Sequence, residues 1–169
     1  MVLGDSVASS ESTRVRRDLT VGNTEVVADL IAERLPVDVY RVQPQDPYPA
    51  AYDATVARNA REQRDDARPA LASPLPSLAR YDTVLLGSPV WNVRAPMIMR
   101  TLLEQVDLTG KTVLPFVTHA VSGLGRVAQE YATLLPTVQL GEALAVQGEQ
   151  AAQAGPDIDG WLQRTGLVA

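Results

Sequence analysis

Two stretches of sequence decide the fold of this 169-residue chain. Residues 81–92 read YDTVLLGSPVWN, and residues 110–125 read GKTVLPFVTHAVSGLG. Each stretch begins with apolar residues, as expected of a strand covered on both faces, and ends in a polar loop marked by glycine or proline. Ligands of α/β proteins bind where parallel strands end, at the carboxyl edge of the sheet. The two stretches therefore predict a binding crevice between neighbouring loops.

Helical and extended patterns alternate along the rest of the chain. The predicted helices begin near Thr24, Tyr52, Pro96 and Gly125, and a closing helix lies around Trp161. The predicted strands span residues 37–43, 83–86, 112–117 and 138–146. The polar helix over residues 52–66 is expected to be held by few apolar positions, Tyr52, Val56 and Ala60. This alternation predicts a single α/β domain over residues 1–169, with a parallel sheet and helices on both faces.

Composition and charge exclude several classes of protein. The apolar runs are strand-sized, so no membrane span is predicted, and the N-terminus lacks the pattern of a secretory signal. The absence of cysteine removes disulfides, thiolate nucleophiles and cysteine metal sites, and no metal site is predicted. A formal charge of −5 argues against nucleic acid. We expect a cytoplasmic protein that binds neither nucleic acid nor membrane.

Arginines cluster at two places along the chain. One cluster is Arg14, Arg16 and Arg17, and the other is Arg58, Arg61, Arg64 and Arg68. Because Glu62, Asp65 and Asp66 are interleaved with the second cluster, it is interpreted as a solvated helix face rather than a binding surface.

The first candidate binding loop is Val21-Gly22-Asn23-Thr24, directly before the first predicted helix. Glycine lets the backbone wrap a ligand, and the helix N-terminus offers unpaired N–H groups and a positive dipole end. A phosphate dianion suits such a site. A plain helix cap is the alternative interpretation, because Asn and Thr are common there.

The second and third candidate loops follow the two buried strands. Ser88-Pro89-Val90-Trp91-Asn92 carries a tryptophan whose flat face needs a cover, which a planar aromatic ligand or a neighbouring helix would supply. Residues 118–125 read THAVSGLG, and their small residues let backbone amides approach the edge of a ring. His119 is interpreted as a loop histidine rather than a catalyst, because no orienting acid lies nearby in sequence.

Together these loops resemble the flavodoxin family. The resemblance rests on Gly22-Asn23-Thr24, on Gly87-Ser88-Pro89-Val90-Trp91 and on the stretch from Thr118 to Gly125, and it covers roughly residues 16–167. Further similar motifs lie in the middle of the chain: Asp46-Pro47-Tyr48-Pro49, Tyr52-Asp53 and Arg68-Pro69.

The resemblance implies a doubly wound sheet of order 2-1-3-4-5 and a non-covalently bound flavin mononucleotide (FMN). It implies that Gly22, Asn23 and Thr24 meet the phosphate. Ser88, Pro89, Val90, Trp91 and Asn92 would line one side of the isoalloxazine ring, and Thr118, His119, Ser122 and Gly123 would meet its pyrimidine edge or the ribityl chain. Members of the family pass electrons to a redox protein partner or reduce quinone-like acceptors with a nicotinamide cofactor, and the resemblance also allows a homodimer.

The N-terminus departs from the family pattern. The expected apolar first strand is replaced by residues 1–13, MVLGDSVASSEST, in which only Val2, Leu3 and Val7 suit a strand and Gly4 and Asp5 interrupt them. Three explanations are open: a start further upstream, a degraded strand, or direct pairing of strands two and three. We hypothesise a shortened or altered N-terminus over residues 1–20, which makes the first strand doubtful and the phosphate half of the site the least secure part of the resemblance.

Two other functions are open at this stage. A flavin-free domain that keeps the fold as a binding or interaction module would follow from a lost phosphate site. A hydrolase is weakly indicated, because Ser88 and Ser122 lack a nucleophile-elbow sequence and the single histidine would have to serve as the base.

Overall fold

The structure, a computed structural model, describes residues 2–5 and 22–169. The side chains of residues 2–5 are not among the described parts. Several predictions fall on residues 6–21 and therefore lie outside the described residues: Val7 as a strand residue, the arginine cluster of Arg14, Arg16 and Arg17, the altered segment of residues 6–20, and Val21 in the first loop.

Strands and helices alternate as the sequence predicts. The strands are β1 (Val2–Asp5), β2 (Val39–Val42), β3 (Thr83–Pro89), β4 (Thr112–His119), β5 (Gln139–Leu140) and β6 (Leu144–Gln147). The helices are α1 (Asn23–Ala32), α2 (Tyr52–Arg64), α3 (Met97–Gln105), α4 (Val127–Leu134) and α5 (Gly155–Arg164), with a 3-10 helix at Gly148–Gln153. Within the described residues, none of the helices combines the length and the apolar character that a bilayer span requires.

The sheet is parallel, and its strands follow the order β2-β1-β3-β4-β5, with β6 also paired to β4. This order confirms the doubly wound fold that the resemblance implies.

β1 occupies the centre of the sheet, so the doubt about a first strand is corrected. Its residues pair with β2 from Val2 opposite Val39 to Asp5 opposite Val42, and Val2 and Leu3 also pair with β3. Gly4 and Asp5, which were expected to interrupt the strand, both lie in the ladder. Ladder hydrogen bonds use backbone groups, which both residues supply, so low strand propensity does not prevent pairing between two neighbours. Direct pairing of strands two and three is therefore wrong.

β3 and β4 form the longest ladder, from Thr83 opposite Thr112 to Pro89 opposite Thr118. Both strands are buried along nearly their whole length, as their continuous apolar sequences predict. Gly87 is required here, because a Cβ at this position would lie 2.1 Å from Cζ of Phe116. The two strands thus end at the same edge of the sheet in a fixed relative position.

An apolar core covers each face of the sheet. On one face, α3 and α4 contribute Ile98, Leu102, Val127 and Tyr131. On the other face, Phe116 packs with side chains of α1 and α5, including Ile31, Ile158 and Trp161. This double cover explains why the sequences of the central strands do not alternate.

The two edges of the sheet are irregular. The predicted strand over residues 138–146 is split into β5 and β6, which pair with different parts of β4. Between them, the N–H of Gly141 donates to the carbonyl of Val113 at 2.9 Å, while the carbonyl of Glu142 accepts the indole N–H of Trp161 at 2.9 Å. Past the other edge strand, Pro44 forms an antiparallel bridge with Leu71.

Candidate functional site

A cavity of about 480 Å³ lies at the carboxyl edge of the sheet, between the two loops that the sequence singles out. Its walls are α2, residues 90–93 after β3, and residues 120–122 after β4. Cavities of this size with mixed apolar and polar lining are typical of small-molecule sites.

The second loop is a tight hairpin turn. Trp91 and Arg94 exchange both backbone hydrogen bonds, with N···O distances of 2.7 and 3.1 Å, and the two residues between them have positive φ angles. The angles are 50° at Asn92 and 61° at Val93. A β-branched residue is rarely found in this region, so Val93 holds a strained backbone at the mouth of the cavity.

Backbone contacts fix the second loop against the third. The N–H of Val90 donates to the carbonyl of Thr118 at 2.8 Å, and the N–H of Arg126 donates to the carbonyl of Val93 at 2.7 Å. Gly125 makes this approach possible, because a Cβ there would lie 2.5 Å from the carbonyl oxygen of Val93 and its φ is +54°. The two loops therefore form one rigid side of the cavity.

Trp91 borders the cavity but presents less surface than the loop sequence suggests. The residue is only 9% exposed, because its indole ring packs edge-on against Tyr48, with ring centroids 5.0 Å apart and an interplanar angle of 88°. Part of the cover that the sequence left to a ligand or a helix is thus supplied by the Tyr48 side chain.

One face of α2 forms the wall opposite the two loops. It carries Tyr52, Thr55, Val56, Asn59 and Ala60, which share a face because they repeat at three- and four-residue spacing. The sequence assigned the apolar members of this set to the core, and that assignment is wrong for Val56, which is 46% exposed, and for the exposed Ala60.

A polar face of α2 is buried in their place. Thr55, Asn59 and Glu62 are its buried residues. Gln63, which follows, donates its amide N–H to the carbonyl of Trp91 at 3.1 Å and accepts a bond from the side-chain amide of Asn92 at 2.9 Å. Polar contacts, rather than apolar ones, therefore join α2 to the second loop.

The first loop leads into the N-terminus of α1, which contacts the third loop. Gly22 is the residue before the helix and has no side chain with which to cap it, so the plain-cap interpretation is not supported. Asn23 is 3% exposed, and its Oδ1 atom has no hydrogen-bond partner among the described residues. An amide oxygen is an acceptor, so a hydrogen-bond donor of a ligand would satisfy this buried atom.

Thr24 links this end of the site to the third loop. Its hydroxyl lies 2.7 Å from the hydroxyl of Thr118, and both residues are buried. Since the carbonyl of Thr118 also accepts the N–H of Val90, Thr118 contacts both other loops. The start of α1 and the second and third loops are thus contiguous.

His119 lies at the end of β4 and is partly exposed. Its Nδ1 atom is buried and has no partner within the described residues, and burial lowers the pKa of the imidazole below its ordinary value of 6.5. The ring is therefore neutral at pH 7. The predicted loop position is wrong, because His119 lies in β4 opposite Gln147. Among the described residues no carboxylate is hydrogen-bonded to its ring, so a catalytic role is not indicated.

The structure brings only part of the predicted set to the cavity. Val90, Trp91, Asn92 and Ser122 line it. Gly22, Asn23 and Thr24 lie at the start of α1, where Thr24 contacts Thr118 of β4. Pro89 ends β3, and Gly123 has a positive φ of 57° in the third loop. Ser88 lies within the core, where its Oγ atom is 3.2 Å from the hydroxyl of Tyr131, so it does not face the cavity.

Sequence reasoning missed the α2 wall and three residues of the cavity rim, Val93, Ala120 and Val121. The signal for the α2 wall was the three- and four-residue spacing of Tyr52, Val56 and Ala60. That spacing was interpreted as the face that holds the helix to the core. Val56, Val93 and Val121 are 46%, 45% and 92% exposed, and they share this one cavity. Exposed apolar residues grouped in this way are typical of a surface that binds a ligand or a partner.

Comparison with known proteins assigns the family. A model of the flavodoxin family matches residues 18–164. The chain is a member of the flavodoxin family. A search of curated proteins finds no match for this flavodoxin-family chain.

Solved structures with the same fold include two Bacteroides proteins that carry the name flavoprotein provisionally. The protein of Bacteroides uniformis ATCC 8492 is 30% identical, with a TM-score of 0.77 and 96% of each chain covered. The protein of Bacteroides eggerthii DSM 20697 is 25% identical, with a TM-score of 0.71, and the alignment covers 96% of this chain and 95% of that one. A flavoprotein of Lactobacillus acidophilus NCFM, solved in complex with FMN, is 15% identical, with a TM-score of 0.68 and 95% of each chain covered, which shows a shared fold.

Proposed function

We propose that this flavodoxin-family protein binds FMN and acts in electron transfer or as an oxidoreductase. The observation that carries the proposal is the cavity of about 480 Å³ at the carboxyl edge of the sheet. Its wall at Val90 is joined through Thr118 to Thr24 at the start of α1. A structure of similar fold was solved in complex with FMN, which supports the same ligand here.

The residues present fit the two chemically different halves of this ligand. A flat apolar ring suits the space between the second loop and α2, where Val90, Trp91 and Val56 supply apolar contacts. A phosphate suits the start of α1, where unpaired N–H groups and the helix dipole favour negative charge. The hydroxyl of Thr24 adds a polar contact there, while the unpaired Oδ1 of Asn23, an acceptor, suits a hydroxyl group of the ligand rather than its phosphate.

Bound FMN would supply the one- and two-electron chemistry, and the protein would tune it through its contacts. The second and third loops hold the ring site rigid, because backbone hydrogen bonds join them on both sides of the turn. The neutral imidazole of His119 places no positive charge beside the site at pH 7. The acceptor remains a proposal in two forms: a redox protein partner, or a small quinone-like molecule reduced at the expense of a nicotinamide cofactor.

The direct test is the visible absorption spectrum of the purified protein, with any released cofactor identified by mass, followed by titration of the apoprotein with FMN. A flavin spectrum, or saturable binding of FMN, supports the proposal. A colourless protein that binds neither FMN nor riboflavin contradicts it and supports the flavin-free interaction module.

The phosphate half can be tested separately with Asn23→Asp, which adds a negative charge with little change of shape. We expect FMN affinity to fall roughly tenfold while riboflavin affinity stays unchanged, because only FMN carries a phosphate. Asn92→Asp is the matched control in the ring half and should affect both ligands alike. An equal loss of both ligands in Asn23→Asp would argue against a phosphate at α1.

The two forms of redox function differ in turnover. The FMN-loaded protein would be assayed in the steady state with NADH or NADPH and a soluble quinone. Sustained oxidation of the nicotinamide supports a reductase, whereas reduction of the flavin by chemical means without such turnover supports an electron carrier.

A further inference from the structure

A buried carboxylate lies beside the cavity without lining it. Glu62 is only 9% exposed, and it belongs to the buried polar face of α2, next to the stripe that faces the cavity. Nothing in the proposed flavin contacts uses this side chain. Burial of a carboxylate carries a desolvation cost, so its partners show what it does.

Each oxygen of the Glu62 carboxylate accepts a hydrogen bond. The hydroxyl of Tyr48 donates to Oε2 at 2.7 Å, and Nε of Arg58 donates to Oε1 at 2.7 Å. The Arg58 guanidinium also lies over the Tyr48 ring, 4.3 Å from its centroid, and donates from Nη1 to the carbonyl of Pro47 at 3.0 Å. The network therefore fixes both the hydroxyl and the ring plane of Tyr48 relative to α2.

Tyr48 in turn contacts the ring wall of the cavity. It is 8% exposed, and its ring meets the indole of Trp91 edge-on at 5.0 Å, a geometry that aromatic pairs prefer. Gln63 holds the backbone carbonyl of the same tryptophan at 3.1 Å. The backbone of Trp91 thus contacts Gln63 of α2 directly, and its indole contacts Tyr48, whose hydroxyl is bonded to Glu62 of the same helix.

We propose that Glu62, acting through Tyr48, is a positioning residue that sets the orientation of the Trp91 indole at the ring half of the site. The charged network serves this purpose better than an apolar contact, because a hydrogen-bonded hydroxyl fixes the rotation of the Tyr48 ring, which apolar packing alone leaves less defined. The inference rests on the proposed function only in the part of the test that uses FMN.

The full chain carries two tryptophans, Trp91 and Trp161. The test labels both with 5-fluorotryptophan. The two ¹⁹F resonances are assigned with Trp91→Phe and compared, without flavin, in the wild type, Glu62→Gln and Tyr48→Phe. We expect the Trp91 resonance to shift or broaden in both variants while the Trp161 resonance stays in place. Glu104→Gln is the control, because Glu104 lies on α3 and its carboxylate forms an ion pair with Arg68 on the surface.

Titration with FMN provides the second readout. Loss of the fixed orientation should weaken FMN binding by roughly tenfold in Glu62→Gln and Tyr48→Phe and leave it unchanged in Glu104→Gln. If the wild type binds no FMN, the proposed function fails, and the Trp91 resonance alone still decides the positioning role.

An unmoved Trp91 resonance in both variants would overturn the inference, even if both unfold at lower temperature, since that result indicates a structural role only. If Glu62→Gln fails to fold, Tyr48→Phe decides, because it keeps the ring and removes only the hydroxyl.

Discussion

Val93 holds the least favourable backbone conformation near the cavity. Its φ of 61° falls in the left-handed region, which costs a residue with a Cβ roughly 1–2 kcal/mol. The turn residues Asn92 and Val93 both have positive φ, the pattern for which Asn-Gly is the preferred pair in two-residue hairpins. The protein thus retains a strained residue at the rim of the candidate site, a place where strain is often associated with function.

Val93→Gly should therefore stabilise the fold. We expect the free energy of unfolding in urea to rise by about 0.5–1 kcal/mol, after allowance for the greater freedom of glycine in the unfolded chain. Val121→Gly is a matched control, because Val121 is exposed on the neighbouring loop and is not among the described residues with positive φ. A loss of stability at Val93 equal to that at Val121 would show that no strain is stored there.

His119 should make the fold sensitive to mild acid. Burial lowers the folded-state pKa below 6.5, so the unfolded chain takes up the proton first as the pH falls. The stability that the fold has with a neutral His119 is therefore fully present above pH 6.5. It is lost as the pH falls from 6.5 through the lower pKa of the folded state.

His119→Gln removes this titration, and the chain has no other histidine. Urea unfolding between pH 7.5 and pH 5.5 should show a smaller loss of stability in the variant than in the wild type. Parallel curves over that range would contradict the prediction. FMN affinity at pH 7 should change little, since the imidazole is neutral there and does not line the cavity.

Among the elements, α2 shows most clearly where sequence reasoning succeeds and where it stops. Its bounds, residues 52–64, lie close to the predicted 52–66. The predicted solvated face is only partly present: Arg61, Arg64 and Arg68 are exposed, and Arg64 pairs with Asp65. For Arg58 and Glu62 the prediction is wrong, because their side chains pair with each other and are only 13% and 11% exposed. The sequence did not predict that the opposite face, which carries Tyr52, Val56 and Ala60, borders the cavity. Helical spacing shows that residues share a face, but whether that face meets a core or a cavity depends on how neighbouring elements pack.

The β3–β4 pair places the second and third loops side by side. Gly87 of β3 makes the close packing of the two strands possible, because it leaves room for the Phe116 ring of β4. Gly87→Ala would drive a Cβ into the Phe116 ring, so we expect the free energy of unfolding to fall by about 2–3 kcal/mol. Urea unfolding monitored by circular dichroism measures this loss.

The control is the same substitution at Gly160 within α5, where the nearest atom to a new Cβ is the flexible end of Arg164 at 3.1 Å. That change should be neutral or stabilising by up to about 1 kcal/mol, because alanine is a better helix former than glycine. A neutral Gly87→Ala would mean that the Phe116 ring can move aside.

At the scale of the molecule, the two-sided core follows from the regular alternation of strand and helix periodicity, whereas the order of the strands follows only from the resemblance to the flavodoxin family. The central strand does not follow, since Gly4 and Asp5 are poor strand residues whose place is decided by backbone pairing with β2 and β3. The loop motifs do predict part of the cavity wall, since Val90, Trp91, Asn92 and Ser122 line it. The contact between Tyr48 and Trp91 could not be predicted from the sequence, because 43 positions of chain separate the two residues.

Ligand binding should stabilise the whole domain. FMN at one hundred times its dissociation constant should raise the free energy of unfolding by about 2.7 kcal/mol. At the same FMN concentration, Asn23→Asp with tenfold weaker binding should gain only about 1.4 kcal/mol. Thermal or urea unfolding with and without FMN measures both values, and an unchanged wild-type midpoint would contradict flavin binding to the native state.

The irregular edges of the sheet have a consequence for self-association. A long, straight edge strand offers unpaired backbone groups to another chain and invites aggregation. Here one edge is divided into β5 and β6, and next to the other edge Pro44, which has no N–H to donate, bridges to Leu71. Neither edge is a good template for continuing the sheet. If two copies associate, we expect them to meet through helices or loops, and concentrated solutions should resist conversion into cross-β fibres.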